Sequence, residues 1–380
     1  MKEKTLFLPG PTPVPPQVLR AMSAPLIGHR NKNFSALFER VQEGLRYVFQ
    51  TENEVITYPA AGTGAMEAAI VNLLSPGDRI LVAVMGAFGE RFVDIATAFG
   101  AEVETIEVQW GQAPDPEIIA ERLRADKNGR IKAVFVTHNE TSTGVTLDLK
   151  GVAAAVASHP ALLVVDAVSS LGGIELRMDE WEIDVVVTGS QKALMLPPGL
   201  SFCAVGPKAW EAVEKARMPK FYWDFRSYRK SAQRGQTPYT PAVSLWFGLA
   251  EALEMIQNEG LEAIQQRHNV MGRMTRAGAK ALGLKLLAAE DVASDTVTAV
   301  VAPEGIAPSD IRRIMMERYG MELAGGQKQL KDTVFRIGHL GYVTPPDVLT
   351  CLAALECTLA ELDFPVELGA AVQAARQEFI

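Results

Sequence analysis

Two rhythms run along this chain. From residue 54 to about residue 170, short apolar runs alternate with longer segments whose apolar positions recur every third or fourth residue. The short runs read as buried strands and the periodic segments as helices. The predicted strands are 54–59 (EVITYP), 79–84 (RILVAV), 102–108 (EVETIEV), 132–138 (KAVFVTH) and 161–166 (ALLVVD). Between them, residues 60–74, 88–100, 115–125 and 149–158 carry helical spacing, and Val185 to Thr188 form one more β-branched run. Strands apolar along their whole length are buried on both faces. The pattern therefore predicts an α/β fold with a mostly parallel sheet and helices on both faces.

Around Thr240 the rhythm changes. Residues 241–260 and 261–283 read as two long helices broken near Gly260. Strand 296–302, helix 308–320, strand 333–338 and helix 344–362 follow. This divides the chain into a large domain (16–259) and a smaller α+β C-terminal domain (260–380), both of plausible domain size. Residues 1–15 fit neither pattern. Five prolines between residues 6 and 16 rule out a helix and predict an extended arm along the surface of the body or of a partner. A short helix at 16–22 and a polar loop at 28–34 come next, and Asn33 is the expected N-cap of the helix after it.

Composition narrows the class. The chain has 380 residues, 48% hydrophobic and 22% charged, with a formal charge of −8. That suits a soluble globular protein and leaves no basic patch for nucleic acid. No apolar run has membrane-spanning length and the N-terminus lacks a signal-peptide core, so cytoplasm is the expected location. Cys203, Cys351 and Cys357 form neither a C-x-x-C pair nor a disulfide framework, and no His/Cys/Asp/Glu set has metal spacing.

In parallel sheets, ligands bind beyond the carboxyl ends of the strands. Several polar residues fall there. Gly62-Thr63-Gly64-Ala65 lies between a strand and a helix, where free N–H groups make either a phosphate cradle or simply a tight turn. Phe88, after Met85-Gly86-Ala87, is a ring that can stack on a planar ligand or belong to the core. Residues 137–144 (THNETSTG) form a dense polar loop, able to bond a cofactor or to cap the next element. Asp166 ends an apolar strand, where an ionised carboxylate calls for a cationic partner, an N-cap role or a structural ion pair. Lys192 sits among apolar residues, either snorkelling or held neutral by desolvation as a Schiff-base amine. Phosphate anchor, ring stack, acid and amine together are what pyridoxal phosphate needs.

The motifs PGPTPVPP, GHRNKNF, GTGAMEAA, THNETSTG, VVDAVSSLGG, GSQKAL, TPYTPAVSL and FRIGHLG run nearly end to end. Through them the chain resembles the class V, fold-type-I pyridoxal-phosphate aminotransferases, most of all the alanine–glyoxylate / serine–glyoxylate (serine–pyruvate) branch. The resemblance implies that Lys192 forms the Schiff base and Gln191 binds phosphate. Asp166 becomes the partner of the pyridinium nitrogen, and Val168 packs on the ring. Thr63, Gly64 and Ala65 take the phosphate-loop positions, and Phe88 stands where mammalian members have tryptophan. Thr141 becomes the hydroxyl near the ring oxygen and substrate, and Arg336 the substrate-carboxylate arginine. Residues 234–241 correspond to a loop reaching the neighbouring subunit's phosphate, with Gln236 and Thr237 favoured and Thr240 in reserve. The implied activity is ping-pong transfer of an amino group from alanine or serine to glyoxylate or pyruvate, in a homodimer with composite active sites. The alternatives are another donor (a ureido-amino acid, an aminophosphonate or pyridoxamine) and, further off, a lyase or desulfurase, which needs a mobile cysteine.

Overall fold

The computed structural model describes residues 4–379. Seven strands form the central sheet, in the order Val55–Tyr58, Ser201–Val205, Val185–Gly189, Leu162–Asp166, Ile131–Thr137, Arg79–Val84, Glu102–Glu107. Only Ser201–Val205 runs against its neighbours; the other pairings are parallel. Alternate residues of each strand serve opposite cores. Leu81, Val134, Val136, Leu163, Val165 and Val186 face one apolar cluster, and Ile80, Val82, Phe135, Val164, Val185 and Val187 face the other. That is why these strands read as unbroken apolar runs: both faces are covered by helices.

The helix ends follow local chemistry. The helix Lys32–Phe49 is capped by Asn31, whose side chain accepts from Phe34 N at 3.0 Å. Asn33, the expected cap, lies inside the helix. Asn31 wins because its extended backbone (φ −104°, ψ 171°) lets the carboxamide turn back onto the first turn.

A second sheet of five strands has the order Thr5–Phe7, Met321–Gly325, Val334–Gly338, Val297–Val301, Lys285–Leu286. Its core includes Met271, Met315, Phe335, Ile337, Leu352 and Leu355. The N-terminal arm departs from the sequence expectation. Its strand pairs in parallel with Met321–Gly325 and buries Phe7 in this second core. From there the arm crosses to the edge of the central sheet, because residues 9–12 pack against Gln191 and Lys192. Among the described residues no helix is long and apolar enough to cross a membrane.

Candidate active site

Asp166 and Lys192 emerge from neighbouring strands. Leu162–Asp166 pairs with Val185–Gly189, placing Asp166 opposite Val187, and Lys192 follows three residues after Gly189. Asp166 is buried. One carboxylate oxygen accepts from Val168 N at 2.8 Å, and burial pushes its pKa up to about 7. Lys192 is 8% exposed, and burial, with help from the Arg336 charge, lowers its pKa to about 8. Near neutral pH about a tenth of the amine is therefore neutral, far more than for an ordinary lysine. Its Nζ donates to the Pro9 carbonyl, while Thr12 N and Oγ1 bond the carbonyls of Gln191 and Lys192 at 3.2 and 3.0 Å. Gly10 is held at φ +141°, and a Cβ there would lie 2.5 Å from Lys192 Cε, so only glycine fits.

The helix Gly62–Leu73 points its N-terminus at the same place. Its N-cap, Ala61, has no side chain that can accept a bond; its carbonyl takes Gly64 N at 2.8 Å, and the N–H groups of Gly62 and Thr63 are left for an anion. Close packing defines the turn. A Cβ on Gly62 would meet Val168 at 2.7 Å, and one on Gly64 would meet Trp223 at 2.8 Å. Gln191 lies beside this turn, with its amide oxygen buried and unpartnered. Amide O and N are interchangeable assignments, so this group can equally offer N–H donors. Phe88, half-buried, sits in the first turn of the helix Ala87–Ala98. Arg91 Cζ covers one face of its ring at 4.5 Å.

The THNETSTG loop holds these parts together. Glu140 is fully buried and accepts from Phe88 N (2.9 Å), Gly89 N (3.2 Å), Ser142 N (3.1 Å) and Ser142 Oγ (2.6 Å). Ser142 Oγ in turn accepts from Ala87 N at 3.0 Å. A glutamate from one loop thus caps the helix that carries Phe88, and Gly86 lacks a Cβ because Glu140 fills that space. Thr141 turns its hydroxyl to Ser169 Oγ at 2.8 Å, while its carbonyl accepts from Arg336 Nη1 at 3.0 Å. Arg336 Nε donates to Gly325 O at 2.8 Å. Two of the five guanidinium N–H donors are thereby fixed, leaving those of Nη2 and one of Nη1 for a ligand.

A protein with an uncapped helix turn, a desolvated lysine and a buried acid at one sheet edge has a recognisable kin. Residues 5–343 match the family model of class V aminotransferases. The chain belongs to the class V aminotransferases. It is 49% identical over 378 residues to a protein of Synechococcus sp. named soluble hydrogenase, small subunit, covering 99% of this chain and 98% of that one. It is 42% identical over 379 residues to the serine–glyoxylate aminotransferase of Methylorubrum extorquens, covering 97% and 94%. Among solved structures, the ureidoglycine–glyoxylate aminotransferase of Bacillus subtilis superposes with a TM-score of 0.95 at 32% identity, over 100% of this chain and 98% of that one. The fold is accordingly that of the fold-type-I enzymes, and the cofactor is pyridoxal phosphate.

The residues of this aminotransferase suit that cofactor. Asp166 Oδ1 takes a backbone N–H, and among the described residues no cation bonds its carboxylate, so burial leaves it matched to a cation that the protein does not supply. The Gly62 turn offers donors to a phosphate, and Lys192 offers an amine to an aldehyde. Sequence reasoning did not find Glu140, Pro9, Gly10 or Arg91. The loop 234–241 is folded onto its own chain. Gln236 Oε1 accepts from Arg30 at 3.2 Å, and the Thr237 hydroxyl bonds Tyr239 O at 2.7 Å. Thr240 alone of the three is exposed.

Proposed function

We propose that this class V aminotransferase moves an amino group from a small amino acid, alanine or serine, to a 2-oxo acid, glyoxylate or pyruvate. One observation carries the chemistry: the buried Lys192 amine, depressed to a pKa of about 8, stands at the edge of the sheet where Asp166 also ends. The names of two relatives, a serine–glyoxylate and a ureidoglycine–glyoxylate aminotransferase, share glyoxylate and differ in the donor. That supports glyoxylate as acceptor and leaves the donor to experiment.

Bound pyridoxal phosphate supplies an aldehyde that condenses with amines and a ring that accepts electron density from the α-carbon. Lys192 Nζ would hold that aldehyde and, when free of it, would be the base that takes the proton from the donor's α-carbon. Asp166 would hold a proton at the ring nitrogen. Gly62 to Ala65, with Gln191, would bind the phosphate. Phe88 and Val168 would pack on the ring. Arg336 grips the substrate carboxylate through the N–H groups it does not spend on Gly325 and Thr141. Thr141 positions that arginine through its carbonyl, and its hydroxyl stands close by. We read the active enzyme as a homodimer, with Thr240 now better disposed than Gln236 or Thr237 to reach the partner's phosphate.

A desulfurase reading finds no support in the thiols. Cys203 and Cys351 are buried with their pKa values pushed up, and Cys357 lies in the helix Pro345–Glu361 of the second core's layer. The test is a half-reaction screen. Purified protein loaded with cofactor is mixed with alanine, serine, glycine or aspartate, and the cofactor's absorbance is followed. Alanine or serine should convert it to the amine form fastest, and glyoxylate should restore it. Conversion by none of the four would refute the proposal.

A further inference from the structure

The Arg91 side chain takes no part in the steps above, yet it stands at the mouth of the site. Two contacts fix it. Nη1 donates to Thr63 Oγ1 at 3.1 Å, and Cζ lies 4.5 Å from the centroid of the Phe88 ring. Arg91 and Phe88 are three apart on the helix Ala87–Ala98, the spacing that puts two side chains on one face. Thr63 belongs to a different helix, Gly62–Leu73. One guanidinium therefore ties the turn read as the phosphate anchor to the ring read as the stack.

The direction of the first bond matters. A guanidinium can only donate, so Thr63 Oγ1 is the acceptor and its own hydrogen must point elsewhere. Thr63 stands in the first turn of a helix whose cap residue supplies no side-chain acceptor. An anion at that turn meets the Thr63 hydroxyl as a donor, with a fixed positive charge behind it. The charge reaches the rest of the site as well, since Arg91 is among the cations that lower the pKa of both Lys192 and Asp166. Building on the pyridoxal-phosphate reading, we propose that Arg91 is a positioning residue for the cofactor's phosphate: it fixes Thr63 as a donor to that phosphate.

The test is equilibrium binding of two ligands to the cofactor-free protein: pyridoxal phosphate, and pyridoxal, which lacks the phosphate. Wild type, Arg91→Gln, Arg91→Lys, Thr63→Val and the Arg91→Gln/Thr63→Val pair are compared. Arg91→Gln should weaken pyridoxal phosphate about tenfold or more while changing pyridoxal less than about twofold. Arg91→Lys, which keeps the charge and loses the planar fork, should fall between. Arg91→Gln should cost less in the Thr63→Val background than alone, because the two act through one bond. Equal weakening of both ligands, or full additivity with Thr63→Val, overturns the inference. So does undiminished binding of pyridoxal phosphate by Arg91→Gln when the wild type binds it. A wild type that binds no pyridoxal phosphate overturns the underlying reading too. If Arg91→Gln fails to fold, Arg91→Lys carries the same comparison between ligands.

Discussion

Asp166 and Lys192 are each strained by burial, in opposite senses. The Asp166 carboxyl has a folded pKa of about 7, against an ordinary value of 3.8. An acid raised in this way destabilises the cofactor-free fold once pH exceeds its ordinary value, and the penalty is complete above about 7. Cofactor-free Asp166→Asn should therefore melt no lower than cofactor-free wild type at pH 8, and its advantage should shrink as pH falls toward 4; thermal scans across that range check this. With cofactor bound, the same substitution should lower turnover, because the ring nitrogen loses its acid partner. Lys192→Ala should lose the Schiff-base absorbance and about a hundredfold or more of activity, read by spectrum and rate. Arg336→Lys should raise the KM for the donor about tenfold, since a point charge replaces a planar fork. Asp166 and Lys192 were visible in the sequence as polar interruptions of apolar stretches. Glu140 was not, because a glutamate in a polar loop has the same local signature whether solvated or fully buried. Gly10 was hidden for another reason: the space its missing Cβ leaves is taken by Lys192, far away in sequence.

The elements of the central sheet were legible because burial on both faces leaves long apolar runs. Some of the elements missed are ones whose burial is partial or whose partners are remote. Met321–Gly325 mixes a glutamate and a glycine into a short strand, and the helix Phe225–Ala232 is largely polar with only Phe225, Tyr228 and Ser231 buried. Neither shows a clear period. The helix Ala87–Ala98 depends on a cap from elsewhere in the chain. Removing it with Glu140→Ala leaves the N–H groups of Phe88 and Gly89 without their acceptor, and should cost roughly 2–4 kcal/mol of stability in urea titration. The same variant should bind cofactor more weakly, since Phe88 rides on that first turn. An unchanged denaturation midpoint would show that Glu140 is not the cap that the geometry makes it.

Across the whole molecule, the N-terminal arm links the two sheets. Phe7 is anchored in the second core while Pro9 and Thr12 hold the Lys192 segment. A polar cluster makes a second link, with Asn139 Nδ2 donating to Ser169 Oγ and Thr296 Oγ1 at 2.9 and 3.0 Å. Sequence periodicity sees neither, because both join residues far apart in the chain. The proposed dimer belongs to this scale too. Phe221, 78% exposed, packs on Tyr239 of the loop read as reaching the partner, with ring centroids 5.8 Å apart. Sedimentation should give twice the chain mass of 41.2 kDa, and Phe221→Asp should shift the protein toward monomer and weaken cofactor binding. A wild type that sediments as a monomer while fully active would remove the composite site. The chemistry turns on where the cofactor is attached. Borohydride reduction of the loaded protein, followed by peptide mapping, should find the pyridoxyl group on Lys192; a label on another residue, or none at all, would contradict it.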